Sequence, residues 1–284
     1  MREPLVSVVT VCYNAVTTIE NTILSVLKQS YENIEYIIVD GGSKDGTIDI
    51  INKYKNRLAV FISEKDNGIY DAMNKGIKAA TGEWIIFRNS GDYFASENVV
   101  SEMFADKVDD DVIVLHGDCR IFDQYGYRDE KPYMLSDEYY PTVMPVFHPS
   151  SFIRLSYHKK HYFDLRFRSS SDFDFFTRCT LARCRYEYRP ILVSVMNAGE
   201  GMSVDNLKTV YKENYSLLCE NGVLENTLKS KMKYFAICYN MRFRNWLKKW
   251  LPMKYVKLKI IKNKQKTGWV MKKNSIPDFI RFEQ

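Results

Sequence analysis

Aspartates at positions 40, 66 and 92 each stand just past a short run of mostly apolar residues, at 34–39, 58–63 and 84–87. Such runs, rich in β-branched and aromatic side chains, read as buried strands. Ligands of open parallel sheets collect outside the carboxyl ends of the strands, so carboxylates spaced in this way would line the edge where a nucleotide and its metal sit. Each has a plainer use when taken singly: Asp92, in Asn-Ser-Gly-Asp, makes a turn as readily as it meets a cation. Gly41, Gly42 and Gly46 follow Asp40, but their spacing fits neither GxxxxGK[ST] nor GxGxxG, which sets aside an ordinary phosphate loop or dinucleotide fingerprint. Further along, SSSDFDFFTR at 169–178 reads as a helix start, with serines to cap it and Asp172 and Asp174 in the first turn, where the helix dipole favours carboxylates. Capping alone would account for Asp172. His148, at the head of HPSSFIR, needs on its own no role beyond a structural hydrogen bond.

The elements that must position these residues alternate. Residues 5–13 (LVSVVTVCY) form a central strand, 14–18 a turn, and Ile19, Ile23, Val26 and Leu27 recur at helical spacing. A strand at 34–39, a helical pattern at 47–54 and a strand at 58–63 follow. Ile69, Met73, Gly76, Ile77 and Ala80 then share one helix face, with Asn67 as the expected cap and Gly82 as the expected terminator. Residues 84–87, WIIF, suit a strand buried on both faces. Strands alternating with helices predict an α/β fold built on a mostly parallel sheet with right-handed crossovers. A strand-like run at 112–122 leads into a segment rich in Tyr and Asp, expected as loops and edge strands.

The chain of 284 residues is 45% apolar and 14% aromatic, enough for a large core, and no stretch approaches the ~18 apolar residues needed to span a bilayer. The first residues, MREPLVSVVTVCYN, read as a strand and not as a signal peptide, which places the protein in the cytosol. Six cysteines without CxxC or zinc-like spacing predict free, buried thiols. The formal charge of +6 hides an asymmetry: residues 226–277 hold 15 Lys or Arg and no Asp or Glu, so the remainder carries 6 − 15 = −9. That divides the chain into a body, 1–225, and a basic aromatic extension, 226–284, expected to be helical. An interleaving such as YNMRFRNWLKKWLPMKYVKLKII suits an anionic membrane surface, contacted through residues 228–273. A packing helix for an oligomer is the alternative. Nucleic acid is set aside, because no recognisable nucleic-acid module accompanies the stretch.

The segments VSVVTVCYN, YIIVDGGSKDGT and EKDNGIYDAMNKGIKAATGEWIIFRNSGD resemble, in order and spacing, the nucleotide-binding half of family 2 glycosyltransferases of the GT-A fold, enzymes of bacterial polysaccharide, O-antigen and capsule biosynthesis. The resemblance implies that Tyr13 stacks on the nucleotide base, Asp40 accepts from the base N–H, Asp66 helps hold the nucleoside, and Asp92 binds a divalent metal, Mn²⁺ or Mg²⁺. Many relatives carry an acidic cluster at this point, whereas Asn89, Ser90 and Gly91 precede a lone Asp92. His148 resembles a histidine beside the donor diphosphate and acceptor. Asp172 occupies the position of the family's catalytic base, with Ser171 where an acid usually precedes it and Asp174 as the runner-up. Residues 196–203, MNAGEGMS, resemble a lid over the donor. The activity so implied is inverting transfer of a hexose from a nucleotide sugar, UDP-linked by preference, to a saccharide acceptor carried on a lipid at the cytoplasmic membrane face. The two other classes to weigh are a nucleotidyltransferase, which would need a glycine-rich, Arg-containing N-terminal loop absent from TVCYNAVTT, and a non-catalytic binding protein with a vestigial pocket.

Overall fold

The computed structural model describes residues 3–123, 126–132, 144–197, 207–232, 234 and 270–271. Its first half is a run of strand and helix in alternation: β1 (Val6–Cys12), α1 (Ile19–Leu27), β2 (Ile34–Asp40), α2 (Thr47–Lys53), β3 (Val60–Ser63), α3 (Ile69–Ala79) and β4 (Trp84–Phe87). The four strands lie parallel in the order β3-β2-β1-β4. Side chains of a strand alternate between faces, and here both faces are covered. Val6, Val8, Tyr36, Ile38, Trp84 and Ile86 pack with α1 and α2 residues on one side. Val9, Val11, Ile37, Val39, Ile85 and Phe87 pack with α3 on the other. Burial on both sides is why these strands read as unbroken apolar runs.

The second half adds β5 (Tyr93–Phe94), α4 (Val99–Met103), β6 (Val112–Asp123), β7 (Gly126–Glu130), β8 (Ser151–Arg154), α5 (Leu155–His158), α6 (Ser171–Leu181), β9 (Arg185–Asn197) and α7 (Leu207–Glu220). Antiparallel β8 joins β4 to β6, which in turn pairs antiparallel with β7 and parallel with β9. The sheet is therefore parallel only where the donor-type motifs lie and mixed beyond them. Phe175, Phe176 and Cys179 press α6 onto the same face of the sheet as α3.

Two helix-end expectations are corrected. Gly68, not Asn67, is the N-cap of α3, and no side chain caps it. The first turn is secured in the opposite sense, with the Asn67 N–H donating to Asp71 Oδ2 at 3.0 Å. The helix ends at Ala79 with Ala80 already extended. Gly82 serves a close approach instead: a Cβ there would meet Ser7 Oγ at 2.6 Å and the Leu5 carbonyl at 2.7 Å.

The cysteines at 12, 119, 179, 184 and 219 are free. Most of the basic extension and most of the expected lid at 196–203 lie outside the described residues. Where the extension is described, residues 228–232 and 234 are helical as expected, whereas Val270–Met271 (β10) is a short strand that pairs antiparallel with β7. Among the described residues no helix is long and apolar enough to cross a membrane.

Candidate active site

Register brings the carboxyl ends of β1, β2 and β3 into line at Cys12, Asp40 and Ser63. Asp40 is fully buried there, and its oxygens are occupied by the chain itself. Oδ2 accepts the Gly42 and Ser43 N–H groups, each at 3.0 Å, and the Ser63 hydroxyl at 2.8 Å. Oδ1 accepts the Ser43 hydroxyl, with the Cys12 thiol at 3.7 Å. These bonds fold the loop after β2 around the Asp40 carboxylate.

The same loop is stitched to the turn after β1. Backbone N–H groups of Asn14, Ala15 and Val16 donate to Ser43 Oγ (2.8 Å), Thr47 Oγ1 (2.8 Å) and Asp45 Oδ2 (3.1 Å), while Lys44 N–H returns to Asn14 Oδ1 at 3.0 Å. Asn14 adopts φ 47°, a left-handed turn that Asn tolerates better than most residues. This turn leaves the Tyr13 ring 64% exposed, an aromatic face free to stack. Gly41 lies between Tyr13 and Asp66: a Cβ on it would run into the Asp66 carboxylate and reach 3.3 Å from the Tyr13 ring. Asp66 itself spends Oδ1 on the Gly68 N–H at 2.9 Å.

The loop bearing Asp92 is fixed to α1 and β1. Ser90 N–H donates to the Val11 carbonyl at 3.1 Å, its hydroxyl pairs with Thr18 at 2.8 Å, and Gly91 N–H donates to Thr22 Oγ1 at 3.0 Å. The Asp92 carboxylate is half-buried and makes no hydrogen bond among the described residues. Loss of water raises its pKa to about 7, against the pull of the Arg88 guanidinium. Asn89 Oδ1, in the same loop, is a buried acceptor with no donor. A desolvated carboxylate and an orphaned oxygen three positions before it in the same turn are donor types that fit a hard divalent cation whose remaining ligands are diphosphate oxygens and water. Among the described residues no group of three or more His, Cys, Asp or Glu forms a metal cluster.

Arg88 was not singled out from sequence. It is fully buried, donates to the Phe87 and Pro149 carbonyls, and stacks on Phe94 at 3.9 Å. Desolvation lowers its pKa to about 10, so it remains a cation beneath the Asp92 loop.

Asp172 stands in the first turn of α6 and is half-buried. Its Oδ1 accepts the Tyr70 hydroxyl at 2.8 Å and the Phe173 N–H at 2.9 Å. Its Oδ2 faces His148 Nδ1 at 3.9 Å, beyond hydrogen-bond reach. His148 is buried against Phe87, Phe163 and Phe176, and that burial holds its pKa below the usual value despite the nearby carboxylate, so it stays neutral. Asp174 is engaged elsewhere, in an ion pair with Arg178 at 2.8 Å. Tyr70, the second residue of α3, is the contact that joins Asp172 to the Asp66 loop, and neither its spacing nor its type pointed to it in the sequence.

An open α/β sheet with acidic loops at the carboxyl ends of its parallel strands, closed by an antiparallel half that brings a carboxylate up from a helix start, is the GT-A architecture. The chain belongs to glycosyltransferase family 2: the model of that family matches residues 7–185, more than half of it. Among its relatives are an uncharacterized glycosyltransferase of Haemophilus influenzae, 33% identical over 129 residues, which are 44% of this chain and 51% of the relative. The putative teichuronic acid biosynthesis glycosyltransferase TuaG of Bacillus subtilis is 39% identical over 104 residues, 36% of this chain and 41% of the relative. The chain thus aligns with about half, or less, of these relatives' own length. Among solved structures, S. aureus TarS 1-349 in complex with UDP-GlcNAc superposes with TM-score 0.64 at 20% identity, covering 77% of this chain and 65% of the other. The Pyrobaculum calidifontis mannosyltransferase PcManGT, in complex with GDP-Man and Mn²⁺, gives TM-score 0.56 at 14% identity, covering 86% and 83%.

Proposed function

We propose that the chain is an inverting hexosyltransferase that takes its sugar from a nucleotide diphosphate donor, UDP-linked, and delivers it to a hydroxyl of a saccharide acceptor during cell-surface polysaccharide assembly. The observation that carries this reading is the Tyr70–Asp172 hydrogen bond, which sets a carboxylate with one uncommitted oxygen against the helix that begins at the Asp66 loop. Support for the donor class comes from TarS with UDP-GlcNAc and PcManGT with GDP-Man, and for the pathway from TuaG's name.

In this mechanism Tyr13 offers its ring to the base, and Asp66, with the loop that Asp40 folds, holds the nucleoside. Asp92 and Asn89 hold the divalent ion, Mn²⁺ or Mg²⁺, which when bound neutralises charge on the diphosphate as a Lewis acid. Asp172 Oδ2 takes the proton of the acceptor hydroxyl while that oxygen bonds to the anomeric carbon from the face opposite the diphosphate. The carbon–diphosphate bond breaks with its electron pair leaving on the nucleoside diphosphate, and the configuration inverts. His148, neutral, stands beside the reacting groups as a hydrogen-bonding wall and not as a charge.

Thermal stabilisation by a panel of sugar nucleotides with Mn²⁺ tests the reading. One uridine sugar should raise Tm in a metal-dependent way, since a ligand at 100 times its Kd adds about 2.7 kcal/mol. No shift with any of them would favour the vestigial-pocket alternative. The acceptor, in the same proposal, is lipid-linked, and residues 228–273 hold the protein on the anionic cytoplasmic face of the membrane. Flotation of the full chain with anionic vesicles checks this: Lys248→Glu with Lys249→Glu should release it, and unchanged binding would remove the extension from the account.

A further inference from the structure

Tyr70 is 7% exposed and packs its ring against Phe163 at 5.3 Å between centroids. Burial first, then the adjoining Asp172 carboxylate, push its pKa well above the ordinary phenol value, so the hydroxyl is a fixed donor. It donates to Asp172 Oδ1, which also receives the Phe173 N–H. With Oδ1 doubly occupied, Oδ2 is the oxygen left with lone pairs to offer.

The helix that carries Tyr70 is held at both ends of this contact. On the donor side, Asp66 Oδ1 accepts the Gly68 N–H at 2.9 Å and Asp71 Oδ2 accepts the Asn67 N–H at 3.0 Å. Lys75 reaches Glu64 at 2.8 Å and the Lys65 carbonyl at 3.2 Å. On the acceptor side, the buried Asn74 amide exchanges hydrogen bonds of 2.9 and 3.0 Å with the Phe163 backbone, on the segment that leads into α6. The polar residues of YDAMNK thus bind the donor loop, the base and the base's own approach segment to a single helix.

We propose that Tyr70 is a positioning residue of the transfer reaction: it holds Asp172 so that Oδ2 alone meets the acceptor, and it ties that oxygen to the donor loop. Tyr70 keeps its own proton throughout; the acceptor's proton goes to Oδ2. This role rests on the reading of Asp172 as base.

Tyr70→Phe removes the hydroxyl and keeps the ring. The probe is release of nucleoside diphosphate from whichever of UDP-glucose, UDP-N-acetylglucosamine and GDP-mannose the Mn²⁺-loaded wild-type chain hydrolyses fastest, with water as acceptor. Tyr70→Phe should lower kcat up to about 10²-fold, as a misplaced reacting group does, with donor KM unchanged. In the Asp172→Asn background the same change should cost nothing further, because groups that act as one unit are non-additive. Wild-type kcat in Tyr70→Phe, or the same fold loss in both backgrounds, would overturn the proposal and leave the base assignment intact. Full activity of Asp172→Asn alone, or no release by the wild type, would overturn the underlying reading and Tyr70's role with it.

Discussion

The edge proposed for the donor and the side proposed for the acceptor are built by different means. Around Asp40, Asp66 and Asp92, loops from distant strand ends are sewn to one another by short polar side chains and backbone N–H groups, so that Ser43, Asp45, Thr47, Thr18 and Thr22 each spend a side-chain oxygen on a neighbouring loop. Around Asp172 more hydroxyl and ring groups go unpaired: among the described residues the hydroxyls of Ser170, Ser171 and Thr177 and the Nε2 atoms of His148 and His158 are buried without a partner, against Asn89 Oδ1 and the Arg88 Nε and Nη2 atoms at the Asp92 loop. All four histidines, at 116, 148, 158 and 161, fall in this half and none in the other. The edge at Asp40, Asp66 and Asp92 is shaped by backbone and short polar side chains, which suits the nucleotide sugar proposed for it. The side at Asp172 rests on aromatic packing and one tyrosine hydroxyl.

That contrast predicts graded consequences. Asp172→Asn should lower turnover by roughly 10² to 10⁴, the range of a positioned general base, while donor binding measured by Tm shift is retained. Unaltered turnover would hand the role to another group. Asp92→Ala should cost about 10²-fold in metal-dependent activity, since a bound divalent ion supplies several kcal/mol of charge stabilisation. A variant as active as the wild type, or a wild type indifferent to chelator, would contradict that assignment. Tyr13→Ala should weaken nucleotide binding by about 1–3 kcal/mol, the loss of one base stack, and leave kcat for bound donor unchanged. Calorimetry with the nucleoside diphosphate alone reads it directly.

The last effect is on stability in acid and not on turnover, and should come from the half that holds the histidines. Burial lowers the pKa of His116 to about 4 and that of His158 to about 3. Below the ordinary histidine pKa of 6.5 the unfolded chain takes up protons that the folded chain refuses, so stability falls as pH drops from 6.5 towards 4. Each group contributes up to about 1.4 kcal/mol per pH unit in that window. Unfolding midpoints followed between pH 7 and 4.5 should decline, and His158→Phe should flatten the slope; an unchanged slope would count against histidine burial as the cause.

The donor edge was also the legible one. Its strands and helices lie within one stretch of about a hundred residues, and apolar periodicity placed β1, β2 and β4 and the helices between them to within a residue or two, because both faces of the parallel sheet are covered. Two readings failed for local reasons: Asp71 reached back to Asn67 where a forward cap was expected, and Gly82 answered to Ser7 across the sheet and not to the end of its own helix. Asp40 was legible as a carboxylate at a strand end but not as a buried one, since its donors Ser43 and Ser63 are ordinary loop residues until register aligns them. The Tyr70–Asp172 pair spans 102 positions, and the Arg88–Pro149 pair 61; no periodicity encodes such contacts. Family resemblance supplied Asp172, and only the packing of α3 beside α6 supplied its partner.

The most direct test of a single displacement assisted by Asp172 is the anomeric configuration of the first-formed product, followed by proton NMR from an α-linked donor. The account predicts a β-configured sugar as the initial product, with the donor's configuration inverted. An α-configured initial product would mean that the acceptor does not attack from the face opposite the diphosphate, and would contradict the role assigned to Asp172.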